Sequence, residues 1–143
     1  MLYKTKSQQE TINLGKSIAS KFKPGDIILL EGNLGAGKTT LTKGIAEYFG
    51  IKKNITSPTF SLMNVHEIQR FKDSKIQRLV HVDTYRLEDE KDLIEIGIED
   101  YLGNPDTICL IEWPEKISKL LSSKKVIRIK IEHLDKGRKI LIK

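Results

Sequence analysis

Residues 26–39 read DIILLEGNLGAGKT, and this stretch decides the fold. It opens with a run of apolar residues, which is typical of a strand buried on both faces of a sheet. Residues 32–39 then match the pattern G-x-x-x-x-G-K-[ST]. In that pattern the glycines let backbone N–H groups approach phosphate groups closely. Residues 38–49 continue with a helical pattern that ends at Gly50. Strand, glycine-rich turn and helix in this order predict a phosphate-binding loop (P-loop) at a helix N-terminus.

Two side chains of the motif have specific chemical roles. The ammonium group of Lys38 would reach the β- and γ-phosphates of a nucleotide, and the hydroxyl group of Thr39 would bind Mg²⁺. A chance match to the pattern is expected in roughly one chain in a few hundred, from average residue frequencies. Because this match also lies between an apolar strand and a helix, it indicates nucleotide binding rather than an ordinary turn.

Two further apolar runs end in a carboxylate. Residues 78–83 read RLVHVD and residues 107–112 read TICLIE, so Asp83 and Glu112 each close a predicted strand. Besides the loop itself, a P-loop site needs an acidic group that holds Mg²⁺, directly or through water. It also needs a group that orients or deprotonates the attacking water. Either carboxylate suits either role, and each also suits a structural role in capping the next element. The pattern leaves these assignments open.

The rest of the chain predicts alternating helices and strands. Ser7 followed by Glu10 is a capping-box start for a helix through residues 12–22. The other predicted elements are a strand at 60–67, a helix at 88–96, a short helix from Pro114 toward Leu121, and a hairpin of 126–132 with 139–142, turning at 135–137. This order predicts one α/β domain over residues 1–143, with a largely parallel central sheet flanked by helices and a C-terminal antiparallel hairpin.

Length and composition exclude several classes of protein. A chain of 143 residues has no room for a separate substrate domain. Its single cysteine, Cys109, excludes an internal disulfide framework and a multi-cysteine zinc site. No apolar run approaches the roughly 20 residues that span a bilayer, and the first residues lack an apolar signal segment, so we expect a cytoplasmic protein. The net charge of +6 permits contact with nucleic acid, but the 20 lysines occur beside 20 isoleucines, which favours a general composition bias over a functional surface.

Three other features each have two interpretations. Residues 56–59, TSPT, are either a switch that senses the γ-phosphate or a connecting turn. Arg86 either meets phosphate or a partner, or it is a surface residue. Trp113 is either a core anchor or a lid near the nucleotide.

Four motifs in a fixed order resemble the TsaE family (older name YjeE) of bacterial P-loop ATPases. They are GNLGAGKT at 32–39, TSPTF at 56–60, HVDTYR at 81–86 and IEWPE at 111–115. The resemblance covers nearly the whole chain. It implies a small P-loop NTPase fold, ATP and Mg²⁺ as cofactors, and weak ATPase activity. It also implies work with the TsaB and TsaD proteins, which transfer a threonylcarbamoyl group to adenosine 37 of tRNA. TsaE proteins do not catalyse that transfer, and tRNA is an indirect partner through the complex.

The resemblance also implies roles for individual residues. Thr39 and Glu112 would bind Mg²⁺, and Asp83 would position the attacking water. Lys38 and Thr59 would complete the catalytic group, with Thr59 inside the switch. The residues expected at the nucleotide are Gln8, Asn33, Leu34, Gly35, Ala36, Gly37, Lys38, Thr39, Thr40, Trp113 and Arg138. Asn33 stands where family members often have aspartate, which matters little because the backbone does most of the binding there.

Three alternative functions share part of this pattern. A small nucleotide or metabolite kinase has the same loop but usually an arginine-rich lid, whereas the 5 arginines here are spread from Arg70 to Arg138. A GTPase switch would need an Asn-Lys-x-Asp motif for guanine, which is absent. A non-enzymatic RNA-binding module would need an aromatic platform, and aromatic residues make up 6% of the chain.

Overall fold

The computed structural model describes residues 1–33, 35–51, 62–68 and 75–143. Strands in these ranges form one mixed sheet, and helices cover parts of both its faces. The strands are β1 (Leu2–Thr5), β2 (Ile27–Glu31), β3 (Met63–Glu67), β4 (Arg78–Asp83), β5 (Thr107–Glu112), β6 (Ile127–Leu134) and β7 (Gly137–Ile142). The helices are α1 (Gln8–Ala19), α2 (Lys38–Tyr48), α3 (Lys91–Glu95) and α4 (Ser118–Leu121), with 3₁₀ turns at Ile98–Asp100 and Pro114–Ile117.

The strand order is β1-β7-β6-β2-β5-β4-β3. The four central strands β6, β2, β5 and β4 are parallel, while β7 and β1 on one side and β3 on the other pair antiparallel. The predicted α/β fold, with a parallel centre and a C-terminal antiparallel hairpin, is therefore confirmed. Because the central strands are parallel, their carboxyl ends meet at one edge of the sheet, where ligands of such folds usually bind.

The core lies on both faces of the sheet. Ile28 and Leu30 of β2 pack in a cluster that includes Leu41 and Ile45 of α2. Their neighbours Ile27 and Leu29 belong to a second cluster, which contains Leu93 of α3 and Leu121 of α4. Successive side chains of a strand point to opposite faces. This two-sided burial explains why β2 reads as an unbroken apolar run.

Helices α1 and α2 touch through glycines. A Cβ atom added at Gly44 would lie 2.1 Å from the carbonyl oxygen of Ile12, and one added at Gly15 would lie 2.5 Å from that of Leu41. Real Cβ atoms do not approach backbone oxygen so closely. The close helix contact therefore depends on both glycines, and it supports the helix that begins at Lys38.

Several predicted boundaries differ from the structure. The strand β1 was not predicted at all, and α1 ends at Ala19 although its apolar spacing continues to Phe22. The helix expected at 88–96 is only α3, and Gly97, with φ of 93°, leads into a 3₁₀ turn instead. The hairpin is tighter than expected, since β6 runs to Leu134 and β7 begins at Gly137. Pairing of β7 with both β6 and β1 extends the ladder up to the turn.

Other local predictions agree with the structure. The backbone N–H of Glu10 donates to the Ser7 hydroxyl oxygen at 3.1 Å, so the predicted helix cap is confirmed. Cys109 is buried in β5, and burial raises the pKa of its thiol to about 12. The thiol is thus a protonated core group, as its apolar surroundings predicted. Within the described ranges, every helix is too short or too polar to cross a membrane.

Candidate functional site

A cavity of about 660 Å³ lies at the carboxyl edge of the parallel strands. Its walls are formed by the β1–α1 turn, the glycine-rich loop with the start of α2, the ends of β4 and β5, and the β6–β7 hairpin. Most of the residues expected at the nucleotide or in catalysis line this cavity: Gln8, Gly35, Gly37, Lys38, Thr39, Thr40, Asp83, Glu112, Trp113 and Arg138.

The remaining candidates lie elsewhere. Asn33 and Ala36 line a different cavity, of about 760 Å³, on the side of the loop that faces β6. Leu34, Thr59 and the predicted switch at 56–59 lie outside the described residues. Arg86 does line the first cavity, which favours its interpretation as a site residue.

The loop has the backbone form that its glycines predicted. Gly35 and Gly37 adopt φ values of 80° and 109°, a left-handed conformation that side chains disfavour. Gly37 precedes the first residue of α2, and no side chain among the described residues caps the helix there. The first N–H groups of a helix lack partners within the helix. Because the first residues of α2 line the cavity, their backbone dipoles suit a bound anion.

Lys38 is a buried cation with unfilled hydrogen-bonding capacity. Lys38 is only 5% exposed, and its Nζ has no hydrogen-bond partner in the part of the chain that the structure describes. Nζ lies 4.0 Å from Glu112 Oε1 and 3.8 Å from the centroid of the Trp113 ring. Burial lowers the pKa of Lys38, and the charges of Glu112, Asp83 and Glu115 oppose this shift. Such an ammonium group fits a phosphate ligand, which would supply the missing acceptors.

The two strand-end carboxylates lie side by side. Asp83 and Glu112 are register partners across β4 and β5, and they are 7% and 3% exposed. Asp83 Oδ1 accepts a hydrogen bond from the backbone N–H of Tyr85 at 2.9 Å, so Asp83 also caps the turn that follows its strand. Asp83 therefore has the structural role of a cap and also lines the cavity, where its predicted catalytic role would require it.

A hard cation has suitable ligands here. Thr39 and Glu112 both line the cavity. Their hydroxyl and carboxylate groups are of the oxygen type that Mg²⁺ prefers, and Mg²⁺ commonly binds through one or two carboxylates with phosphate. These two residues fit the ion that the sequence predicted.

Trp113 lies on the cavity wall rather than in the core. It lines both cavities, and its ring contacts Tyr85 with centroids 5.0 Å apart. Its backbone is left-handed, with φ of 58°, which is unusual for a residue other than glycine. The single proton of the Thr84 hydroxyl is shared between the carbonyl oxygens of Glu112 and Trp113, and this interaction holds the turn. The held turn aims the indole at Lys38.

Residues far apart in sequence complete the cavity. Arg138 of β7 donates from its guanidinium to the Gly35 carbonyl oxygen at 3.4 Å, and it is the register partner of Thr5. The β1–α1 turn contributes Thr5, Lys6 and Ser7 to the lining, of which the sequence predicted only the neighbouring Gln8. Without β1 in the predicted fold, nothing in the pattern placed Thr5 or Lys6 at the site.

His81 is another site residue that the sequence did not predict. Its Nε2 lies 2.7 Å from Glu112 Oε2, and both side chains are buried. The available signal is its position two residues before Asp83, since strand residues at that spacing share a face.

Comparisons with known proteins agree with these observations. A family model described as "Threonylcarbamoyl adenosine biosynthesis protein TsaE" matches residues 5–140. The tRNA threonylcarbamoyladenosine biosynthesis protein TsaE of Bacillus subtilis (strain 168) is 39% identical over 124 residues, which are 87% of this chain and 73% of that protein. The protein of the same name from Rickettsia conorii is 38% identical over 135 residues, 94% of this chain and 72% of its own length.

A solved structure is also similar. The crystal structure of YdiB from Bacillus subtilis superposes with a TM-score of 0.75 and 33% sequence identity, over 98% of this chain and 82% of that one. The fold and the sequence therefore support the same assignment, which the four ordered motifs had predicted. This chain belongs to the TsaE family of tRNA threonylcarbamoyladenosine biosynthesis proteins.

Proposed function

We propose that this protein is a weak, Mg²⁺-dependent ATPase that works with TsaB and TsaD in the modification of tRNA adenosine 37. It would act in the cytoplasm and meet tRNA only through that complex. The observation that carries the proposal is the buried ammonium of Lys38, which faces two strand-end carboxylates in the cavity of the glycine-rich loop. A triphosphate would give Lys38 the acceptors that the described part of the chain does not provide.

The charges of the cavity also support a metal. Asp83 and Glu112 would repel the phosphates of ATP if both faced them without a cation. A Mg²⁺ ion held by Glu112, Thr39 and phosphate oxygens would turn that repulsion into attraction. The ion would also neutralise charge that develops on the β- and γ-phosphates. Thr39 and Glu112 are therefore the proposed metal ligands, and ATP with Mg²⁺ is the proposed cofactor pair.

Asp83 is the proposed water-positioning residue. Its carboxylate is oriented by the Tyr85 N–H and lines the cavity beside Glu112. A carboxylate in hydrogen-bond reach of the attacking water would orient it and accept its proton. Contacts support this proposed division of roles, since Glu112 is the carboxylate next to Lys38 and Asp83 lies one strand further out.

Asp83→Asn is expected to lower the rate of ATP hydrolysis by about a hundredfold, since general bases typically contribute that much or more. Asparagine keeps an oxygen for the Tyr85 N–H but loses the charge and the base. ATP affinity should change far less than the rate, so single-turnover hydrolysis and equilibrium binding should be measured separately.

Asp89→Asn is the matched control for this prediction. Asp89 accepts from the Lys91 N–H at 3.0 Å in the same local geometry, but it is exposed and outside the cavity lining. The Asp89→Asn variant should hydrolyse ATP at the normal rate. Equal rates for Asp83→Asn and the unaltered protein would remove Asp83 from the mechanism.

The partnership predicts that TsaB and TsaD together raise the ATPase rate several-fold. Steady-state ATP hydrolysis should be measured for the full chain alone, with each partner and with both. Stimulation that disappears in a Lys38→Ala variant would tie the effect to this site. Basal hydrolysis without stimulation would contradict the partnership and leave an unassisted ATPase. Phosphorylation of a metabolite faster than the loss of ATP to water would instead favour the small kinase.

A further inference from the structure

His81 interrupts an apolar strand face. On β4, Leu79, His81 and Asp83 follow at intervals of two and therefore share one face. Leu79 is fully buried in the cluster beneath α2, Asp83 lines the cavity, and His81 lies between them at 1% exposure. It does not line either cavity, so it acts from behind the site rather than inside it.

One carboxylate oxygen of Glu112, Oε2, is hydrogen-bonded to His81. Nε2 of His81 lies 2.7 Å from Glu112 Oε2. Because an ionised carboxylate only accepts hydrogen bonds, His81 is the donor. The other oxygen, Oε1, lies on the side of Lys38 Nζ at 4.0 Å, and Glu112 lines the cavity. The hydrogen bond thus divides the carboxylate into a fixed oxygen and an oxygen turned toward the site.

The second ring nitrogen, Nδ1, indicates that packing alone does not explain a histidine at this position. Nδ1 is buried and has no hydrogen-bond partner among the described residues. An unpartnered buried polar atom is costly for stability, so packing alone would favour an apolar residue here, as at Leu79. The hydrogen bond to Glu112 is the interaction that requires a donor at this position.

We propose that His81 is a positioning residue that fixes the Glu112 carboxylate so that Oε1 meets the metal ion of the bound nucleotide. This role rests on the proposed function, in which Glu112 holds Mg²⁺. Residues that orient a metal ligand through a hydrogen bond typically contribute roughly 10–100-fold to metal affinity. His81 would therefore act on Mg²⁺ coupling and not on the nucleotide itself.

The test compares His81→Gln with His81→Asn. A glutamine amide reaches about as far as Nε2 and keeps a donor for Glu112, whereas the asparagine amide is one methylene shorter and does not reach. Binding of a non-hydrolysable ATP analogue to the full chain should be titrated with Mg²⁺ and repeated in EDTA. For His81→Asn we expect the Mg²⁺ concentration at half-maximal effect to rise roughly 10–100-fold, with unchanged affinity in EDTA, and for His81→Gln a value close to the original.

His66→Asn is the control, because His66 on the neighbouring strand β3 is absent from the lining of both cavities. It should leave Mg²⁺ coupling unchanged. Equal loss of affinity with and without Mg²⁺ for His81→Asn, or equal defects in the Asn and Gln variants, would overturn the positioning role and indicate a structural one. If the unaltered protein bound the analogue with equal affinity in Mg²⁺ and in EDTA, the proposed metal site itself would be overturned. The two failures are therefore distinguishable.

Discussion

Replacement of Lys38 by alanine is expected to weaken ATP binding by at least about a hundredfold and to abolish hydrolysis. Hydrogen bonds to charged groups contribute about 1.5–3 kcal/mol each, and Lys38 would make one to each of two phosphates. Since about 1.4 kcal/mol is a factor of ten, their loss exceeds two orders of magnitude. The effect on the transition state is larger still, because charge builds up on the same oxygens.

The change has two opposing effects on the stability of the free protein. Lys38 Nζ is buried without a hydrogen bond in the described part of the chain, and burial lowers its pKa, so its desolvation works against folding. Loss of the ammonium also leaves the buried Glu112 carboxylate, 4.0 Å away, without its cation. Thermal unfolding without ligand should therefore be measured beside binding, to separate a change in stability from a loss of affinity. Calorimetric titration with an ATP analogue measures the loss of binding, and Lys43→Ala, an exposed position on the same helix, serves as the control. Normal ATP affinity in Lys38→Ala would refute the assignment of this cavity.

Gly44→Ala is expected to lower the free energy of unfolding by about 3 kcal/mol, at the upper end of the cost of overpacking. At an open helix position the same change is stabilising by about 1 kcal/mol. Here the new Cβ atom would lie 2.1 Å from the oxygen and 2.9 Å from the carbon of the Ile12 carbonyl. Both atoms belong to the backbone, so the two helices must move apart.

Chemical denaturation of Gly44→Ala and Gly15→Ala measures this effect. The melting temperature should fall by roughly 10 °C for Gly44→Ala. Gly15→Ala should destabilise less, because its nearest backbone oxygen is 2.5 Å away. Lys43→Ala again provides the reference for helix propensity. Unchanged or increased stability of both glycine variants would contradict the close contact of α1 and α2. Because α2 begins at Lys38, we also expect weaker ATP binding in the folded fraction.

The parts of the fold that the sequence predicted are those with a local signal. The central strands β2, β4 and β5 are buried on both faces, so each appears as an apolar run. The four-residue strand β1 has no such run, and it exists because Leu2 pairs with Leu141 at the other end of the chain. A partner so distant leaves no trace in the residues around Leu2.

The candidate site divides in the same way. The loop motif predicted Lys38 and Thr39, and the strand ends predicted Asp83 and Glu112, because parallel strands bring their carboxyl ends to one edge. The hydrogen bond of His81 runs diagonally between two strands and depends on their register. A single histidine in an apolar strand carries no pattern from which that register follows.

The register of Thr5 with Arg138 has a consequence for how the protein is made. Part of the cavity lining comes from the β1–α1 turn and the β6–β7 hairpin, and among the described strands β1 pairs only with β7. During synthesis β1 cannot pair with β7 until β7 has left the ribosome. Contacts of such long sequence separation slow folding. A nascent chain that stops before Gly137 has the glycine-rich loop but lacks the β6–β7 part of the cavity wall. We therefore expect the proposed ATP site to be complete only after β7 has been synthesised.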